Sequence, residues 1–291
     1  MNKAVVLLAL MVALTGCQTT PPSPQEELQT SLRCRLLRDQ KTITPEQVEY
    51  IRESSENGYL SCTLMLGDLY ERGHGVPQDI QKARAFYQAV AVGKAAGYVQ
   101  LGRMAEEGVG QAPDLVEARG FYQRAVAKDR DPDNEAKLAE FMEYGKGGPQ
   151  DLNGALAYYL NAARLVDDAP WKSVQRLRDK GLALTAEQAT HYNEIWIGFF
   201  KSDVGRKILD DQQALAKQFK PGSASQPVTL KLIGNPGSVV PQVSVLESSG
   251  NSAIDQAALK AMSDYRFYGE PILPAGQKTW QASVDVEAGV K

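Results

Sequence analysis

Groups able to act as nucleophile, general base or metal ligand are sparse in this 291-residue chain, and their spacing forms no reactive set. There are two histidines, His74 and His191. Neither has a second ligand at i+4, the spacing with which a helix presents two metal ligands. His74 stands between Gly73 and Gly75, the setting of a turn, and His191 lies in a helical stretch. No Gly-x-Ser-x-Gly elbow, phosphate-binding loop or His-Glu-x-x-His sequence is present. The acidic pairs Asp167-Asp168 and Asp210-Asp211 read as solvated helix faces. These residues argue against an enzyme, and neither cofactor nor metal is expected. Cys17, Cys34 and Cys62 are left as the groups with covalent chemistry.

The elements that carry these residues announce themselves by repetition. Leu66-Gly67-x-x-Tyr70-x-x-Gly73-x-Gly75 returns in weaker form at Leu101 and at Leu138, 35 and then 37 residues on. Gly73, Gly108 and Gly145 align, as do Gly75, Gly110 and Gly147. So do Asp79, Asp114 and Asp151, then Ala83, Ala118 and Ala155, then Tyr87, Tyr122 and Tyr159. A period of this length with glycine turns and small or aromatic helix positions indicates stacked helix pairs. In the first pair Gly67 lets the partner helix approach, Gly102 stands at the same place in the second, and the two turn glycines permit positive φ. The aspartate caps the second helix. The two additional residues before the third repeat fall in Asp129–Asp133, a polar loop where insertion costs little.

This pattern resembles the Sel-like branch of tetratricopeptide-type repeats, best at Cys62–Tyr87 and over about Gly58 to Leu165. Ala139 and Met142 replace the glycine and tyrosine in the third repeat. The resemblance implies a right-handed superhelix of antiparallel helices that recruits protein partners. Repeats are expected at about 58–92, 93–129 and 130–165. Capping helices precede them over 26–57, where Thr44-Pro45-Glu46-Gln47 is a capping box with proline at the first helical position. Further capping helices are expected over 166–219, opening a second box at Thr185–Gln188. The aromatic group Ile195, Trp196, Phe199 and Phe200 would cover the array or pack against the next domain.

Residues 220–227 are small, polar and Pro/Gly-bearing, the composition of a linker. Beyond them the period becomes alternating. Val228, Leu230 and Leu232 form one strand pattern, Val239 to Glu247 a second and Thr279 to Glu287 a third. A helix runs from Ser252 to about Tyr265, so the order over 228–291 is β-β-α-β. Val243–Asn251, Ile254–Leu259 and Tyr265-Arg266-Phe267 resemble the C-terminal domain of the TonB family. Members pair an exposed strand edge with a short extended segment of an outer-membrane receptor, an instance of β-augmentation. The energy-transducing members carry a transmembrane helix, a Tyr-Pro and a long Pro-rich spacer, none of which is found here. The resemblance therefore implies a binding fold without transduction.

Residues 1–16 read as a secretory signal, one Lys followed by the apolar run Ala4–Leu14. Leu14-Thr15-Gly16-Cys17 resembles the lipobox of bacterial lipoproteins. That family implies cleavage before Cys17 and its acylation, with chains such as palmitate as the membrane anchor. Gln18 in place of Asp resembles outer-membrane sorting, and 17–25 would be the lipidated cysteine and its tether. In the oxidising periplasm so implied, Cys34 and Cys62 form one disulfide, with two buried free thiols as the alternative. Without Lys3 there are 31 basic against 35 acidic residues, and no basic run suggests nucleic acid. Arg33, Arg35 and Arg38 read as a solvated face.

The expected molecule is α+β: all-α superhelical two-helix repeats followed by a small ββαβ TonB-like domain. Its expected work is that of a lipid-anchored, periplasm-facing adaptor for envelope proteins, one of them an extended peptide. The alternative is a TonB-type component of energised outer-membrane transport.

Overall fold

The computed structural model describes residues 23–164, 168–267 and 269–288. Cys17, the expected lipidation site, and the expected signal 1–16 lie outside the described residues. The chain divides into two compact units, Met1–Asp114 and Leu115–Lys291.

The first unit contains α1 (Pro24–Arg38), α2 (Pro45–Glu56), α3 (Leu60–Arg72), α4 (Ile80–Gly93) and α5 (Ala95–Glu107). Ser23 and Thr44 each close a full capping box, with Glu26 and Gln47 returning the bond. Its core joins Cys34 of α1 and Val48 and Ile51 of α2 to Cys62, Met65, Leu66 and Leu69 of α3. Cys34 and Cys62 are bonded as a disulfide, with Cα atoms 5.5 Å apart. On α3, Gly67 faces the ring of Tyr87 on α4, where a Cβ would come within 2.7 Å. The missing side chain is what allows α3 and α4 to pack as a tight antiparallel pair.

The second unit contains α6 (Leu115–Lys128), α7 (Pro132–Glu143), α8 (Leu152–Ala162), α9 (Ala169–Asp179) and α10 (Ala186–Ala216). A three-stranded antiparallel sheet comes next, in the order β2-β1-β3, with α11 (Ser252–Met262) between β2 and β3. The strands are β1 (Val228–Gly234), β2 (Gln242–Glu247) and β3 (Trp280–Val286). In register, Leu230 lies between Val245 and Val284, and Leu232 between Val243 and Ala282. These residues share the face that packs on α10 and α11. One apolar core runs from Ala139 and Leu156 through Trp171 and Trp196 to Leu230, Ile254 and Val286. The sheet is thus built on the same core as the last helices of the array.

The third strand is one residue shorter at each end than the sequence pattern, and two other limits differ by more, each for a local reason. β2 begins at Gln242 and not Val239, because Ser238 bonds both the carbonyl and the N–H of Val240, and Pro241 offers no N–H to a ladder. α11 ends at Met262 and not near Tyr265. Tyr265 is buried, its hydroxyl donating to Asp203 Oδ2 of α10 at 2.9 Å.

Residues 220–227 are held in place. Ala224 is buried in the core, and the Ser225 N–H and hydroxyl both donate to the Ser249 carbonyl, at 3.0 and 2.9 Å. Ser223 accepts from the Asn251 amide at 2.9 Å.

Candidate interaction surfaces

The repeat glycines have two jobs, and the structure separates them. Gly73, Gly108 and Gly145 have φ of 67°, 73° and 64°, and Gly75, Gly110 and Gly147 have 73°, 75° and 63°. The second glycine of each turn is also a contact. A Cβ there would run into Ile43 at Gly75, Ile80 at Gly110 and the Leu115 backbone at Gly147. Ile43 and Ile80 are apolar side chains at the start of α2 and α4, and Leu115 opens α6. The α1–α2 pair therefore takes the place of a preceding repeat. Gly102 is buried in α5, and in the third repeat a buried Ala139 stands at the equivalent place. Asp79 and Asp151 accept from Lys82 N at 3.0 Å and Gly154 N at 2.8 Å, capping α4 and α8. Asp114 directly precedes α6, and its N–H donates to the Ala105 carbonyl at 2.8 Å.

A second recurrent set, which the glycine phrase does not reveal, ties successive helices. In the first unit Glu71 accepts from the Tyr87 hydroxyl at 2.8 Å and from the Arg103 guanidinium at 2.6 and 2.7 Å. In the second unit Glu143 accepts from Tyr159 at 3.0 Å and from Arg176 at 3.1 and 2.6 Å, with Lys180 at 3.7 Å. Each set joins the end of one helix to the middle of the next and to a helix beyond. Burial alone would raise the Glu143 carboxyl, but the bonds from Arg176 and Tyr159 outweigh it and hold the group below its ordinary 4.5. Burial, then the bonded carboxylate, push the Tyr87 and Tyr159 hydroxyls well above their ordinary 10. Both sets are charge-assisted bracing.

Beside the second set, α7 and α9 border an open groove of about 560 Å³. Asp133, Lys137, Glu140, the exposed Tyr144 and Arg176 are among the residues that line it. Mixed charge around an exposed aromatic ring is suited to a polypeptide and lacks any nucleophile–base pair.

The histidines do no such work. His74 Nε2 lies 3.0 Å from the Gln40 carbonyl, fixing the first turn to the loop before α2. His191 is exposed, 3.5 Å from Glu194. No group of three metal-ligating side chains exists among the described residues.

In the last part of the chain, the Ser-Ser-Gly-Asn turn is bound to α11 through Asp255. That carboxylate accepts from Ser248 Oγ at 2.6 Å and from Ser249 Oγ and N at 2.7 and 2.9 Å. Burial would raise Asp255, and these bonds lower it overall. The motif residues are therefore a structural knot. The strands beside the knot leave the β3 edge of the sheet without a paired strand among the described residues. β3 pairs with β1 continuously, from Val228–Val286 to Gly234–Trp280, and no strand covers its other edge among the described residues. Trp280 anchors β3 in an aromatic cluster with Trp196, Phe200 and Phe267, centroids 4.4–5.4 Å from its ring. The aromatic group of α10 is thus the packing layer against the sheet.

Residues 61–91, 95–129 and 135–167 match the Sel1 repeat. A Sel1 repeat protein from Oxalobacter formigenes is 23% identical, the match covering 58% of this chain and 70% of that one, with a TM-score of 0.45. A protective antigen present in uropathogenic Escherichia coli strains, displaying an SLR fold, is 22% identical with a TM-score of 0.47. That match covers 67% of this chain and 41% of the other. No curated protein matches the chain. The helix pairs between α3 and α8 are therefore Sel1 repeats, a fold that generally mediates protein–protein interactions and is typically non-catalytic.

Proposed function

We propose that this protein is a lipid-anchored, periplasm-facing adaptor without catalytic activity, in which the Sel1 repeats hold one envelope protein and the ββαβ module another. The observation that carries this reading is the β3 edge, seven residues in unbroken register with β1 and paired with no further strand among the described residues, in a chain that also carries Sel1 repeats. An extended segment adding to β3 would gain backbone hydrogen bonds from its free edge. Gln281, Ser283 and Asp285, on the solvent face, are placed to contact alternate side chains of such a segment.

The anchor is Cys17 in its lipobox-like setting, and it fixes the adaptor at the membrane. A Cys17→Ala variant is expected to leave the membrane fraction for the soluble periplasm. Retention of that variant on membranes would remove the anchor from the account.

The alternative is a TonB-type transducer, favoured by the β-β-α-β order and the Val243–Asn251 motif. Among the described residues no helix is long and apolar enough to cross a membrane. Titration of the protein with receptor TonB-box peptides, together with uptake assays under collapsed proton-motive force, separates the two readings. The adaptor predicts neither binding to those peptides nor dependence on the force. Both together would establish the transducer.

A further inference from the structure

The first helix is apolar on two opposite faces, and only one of them is used by the fold. On its inner side Cys34 is fully buried and bonded to Cys62. Glu27 accepts from Ser61 at 3.0 Å and from Lys94 at 2.5 Å, so the helix cannot roll. On its outer side Leu28, Leu32 and Leu36 recur every four residues and are 59%, 49% and 70% exposed. Such spacing puts them in one stripe, about 12 Å long at 1.5 Å per residue. A locked helix that presents leucines outward at every turn has a second environment to meet.

We propose that α1 lies in the membrane–water interface, its Leu28-Leu32-Leu36 stripe entering the acyl boundary of an anionic phospholipid leaflet. The inference rests on the lipid-anchored reading above and adds how the protein sits on the membrane.

Three observations favour lipid as the occupant. Cys17 precedes the helix cap Ser23 by six residues, which reach at most about 20 Å. An acylated Cys17 thus holds the helix at an effective concentration near the surface that makes a weak contact sufficient.

The charge is also of the right sign. Helix α1 carries Arg33, Arg35 and Arg38 against Glu26 and Glu27, although the chain as a whole is acidic; Glu27 is turned inward to Ser61 and Lys94, and Arg38 is paired with Asp39 and Asp68. Arg33 lies over the Tyr50 ring at 3.9 Å, and the exposed Arg35 pairs with no acid among the described residues. Cations beside an apolar stripe are the pattern of an interfacial helix.

Finally, the stripe is too small for a stable pairing of two copies. It is a patch of roughly a few hundred Å² on each copy, against the roughly 600 Å² per partner of the smallest specific interfaces.

The test uses the full lipidated protein in phosphatidylethanolamine–phosphatidylglycerol vesicles. With Cys17 acylated and Cys34 bonded to Cys62, a Leu32→Cys substitution supplies the one free thiol for an environment-sensitive fluorophore. Expected on vesicles are a blue shift and a several-fold rise in emission, quenched by spin-labelled lipid at shallow depth. The same label at Gln88→Cys, exposed on α4, is expected to stay aqueous. Adding Leu28→Asp and Leu36→Asp should return the Leu32 label to aqueous emission, while helical circular dichroism and acyl-driven vesicle binding persist.

A Leu32 label that remains in water on protein-bearing vesicles overturns the proposal and leaves the anchor intact. A label shielded before lipid is added, at twice the monomer mass, assigns the stripe to a second copy and also overturns it. A mature N-terminal peptide whose mass lacks acyl chains ends the anchored reading, and this inference with it.

Discussion

Glu143 is 1% exposed, and a carboxylate so placed is tolerated only if its oxygens are bonded in the charged form. Arg176 and Tyr159 do this, so an amide in place of the acid keeps one acceptor oxygen but loses the charge that Arg176 pairs with and turns an NH2 toward the guanidinium. Glu143→Gln is expected to lower the unfolding free energy by about 2 kcal/mol, read from urea denaturation. Its folded value lies below the ordinary 4.5, so its contribution is complete above about pH 4.5 and is lost as pH falls through the lowered value. The variant should therefore show a shallower acid limb in a plot of stability against pH. An unchanged limb would mean that Glu143 does not titrate as described. Glycines provide an internal comparison. Gly58 has φ of 89° and no atom within 4 Å of an added Cβ, so Gly58→Ala should cost about 1 kcal/mol for backbone strain alone. Gly147→Ala meets the Leu115 backbone and should cost about 3 kcal/mol or more; equal costs would refute the contact role. Positive φ at the repeat-turn glycines, Gly147 among them, was legible from the phrase. The packing against Ile43, Ile80 and Leu115 was not, because it depends on which helix start lies opposite. The Glu–Tyr–Arg sets escaped similarly: Glu71 and Glu143 are 72 residues apart in the sequence. A helical glutamate reads as solvated until its neighbour is known.

At the scale of elements, the disulfide and α10 matter most. Cys34 and Cys62 are 28 residues apart and join α1 to α3. Closing such a loop restricts the unfolded chain by about 3–4 kcal/mol. Reduction, or paired Cys34→Ala and Cys62→Ala, should lower the first unit's melting temperature by several degrees; an unchanged transition would show the link to be dispensable. In the second unit, Asn193 of α10 bonds the backbone of Ile272 twice, donating to its carbonyl at 2.8 Å and accepting from its N–H at 2.7 Å. The neighbouring Tyr192 hydroxyl donates to the Glu270 carbonyl at 3.0 Å. Asn193→Ala should cost about 1–2 kcal/mol and speed hydrogen exchange at Ile272, while exchange at Leu230 in β1 stays slow. The helices and strands themselves were legible, through capping boxes at Thr44 and Thr185 and alternation at Val228–Leu232. That α10 would be 31 residues long and floor the sheet was not. Its apolar positions Tyr192, Trp196, Phe200, Val204 and Leu215 serve two sets of partners in turn.

At the scale of the whole molecule, the ββαβ module shares its core with the last helices before it. Val228, Leu230 and Ile254 belong to the same apolar cluster as Trp171, Trp196 and Phe200. A fragment of residues 220–291 loses that cover, so it should lack the near-ultraviolet circular dichroism of a packed core; a fragment of residues 168–291 should keep it. A well-folded 220–291 fragment would make the module independent. The sequence pattern at 220–227 suggested separable parts, since small polar residues read as a linker, and only the contacts of Ala224 and Ser225 reveal how the stretch is held. In the proposed function, the protein holds two different envelope proteins, one at the repeats and one at β3. In-cell photocrosslinking, with the reactive residue at Tyr144 in one strain and at Ser283 in another, decides between this and the alternatives. An adaptor yields a distinct crosslinked protein at each position, unaffected by collapse of the proton-motive force. Capture of nothing at either position, or of outer-membrane receptors at Ser283 only while the force is present, would contradict it.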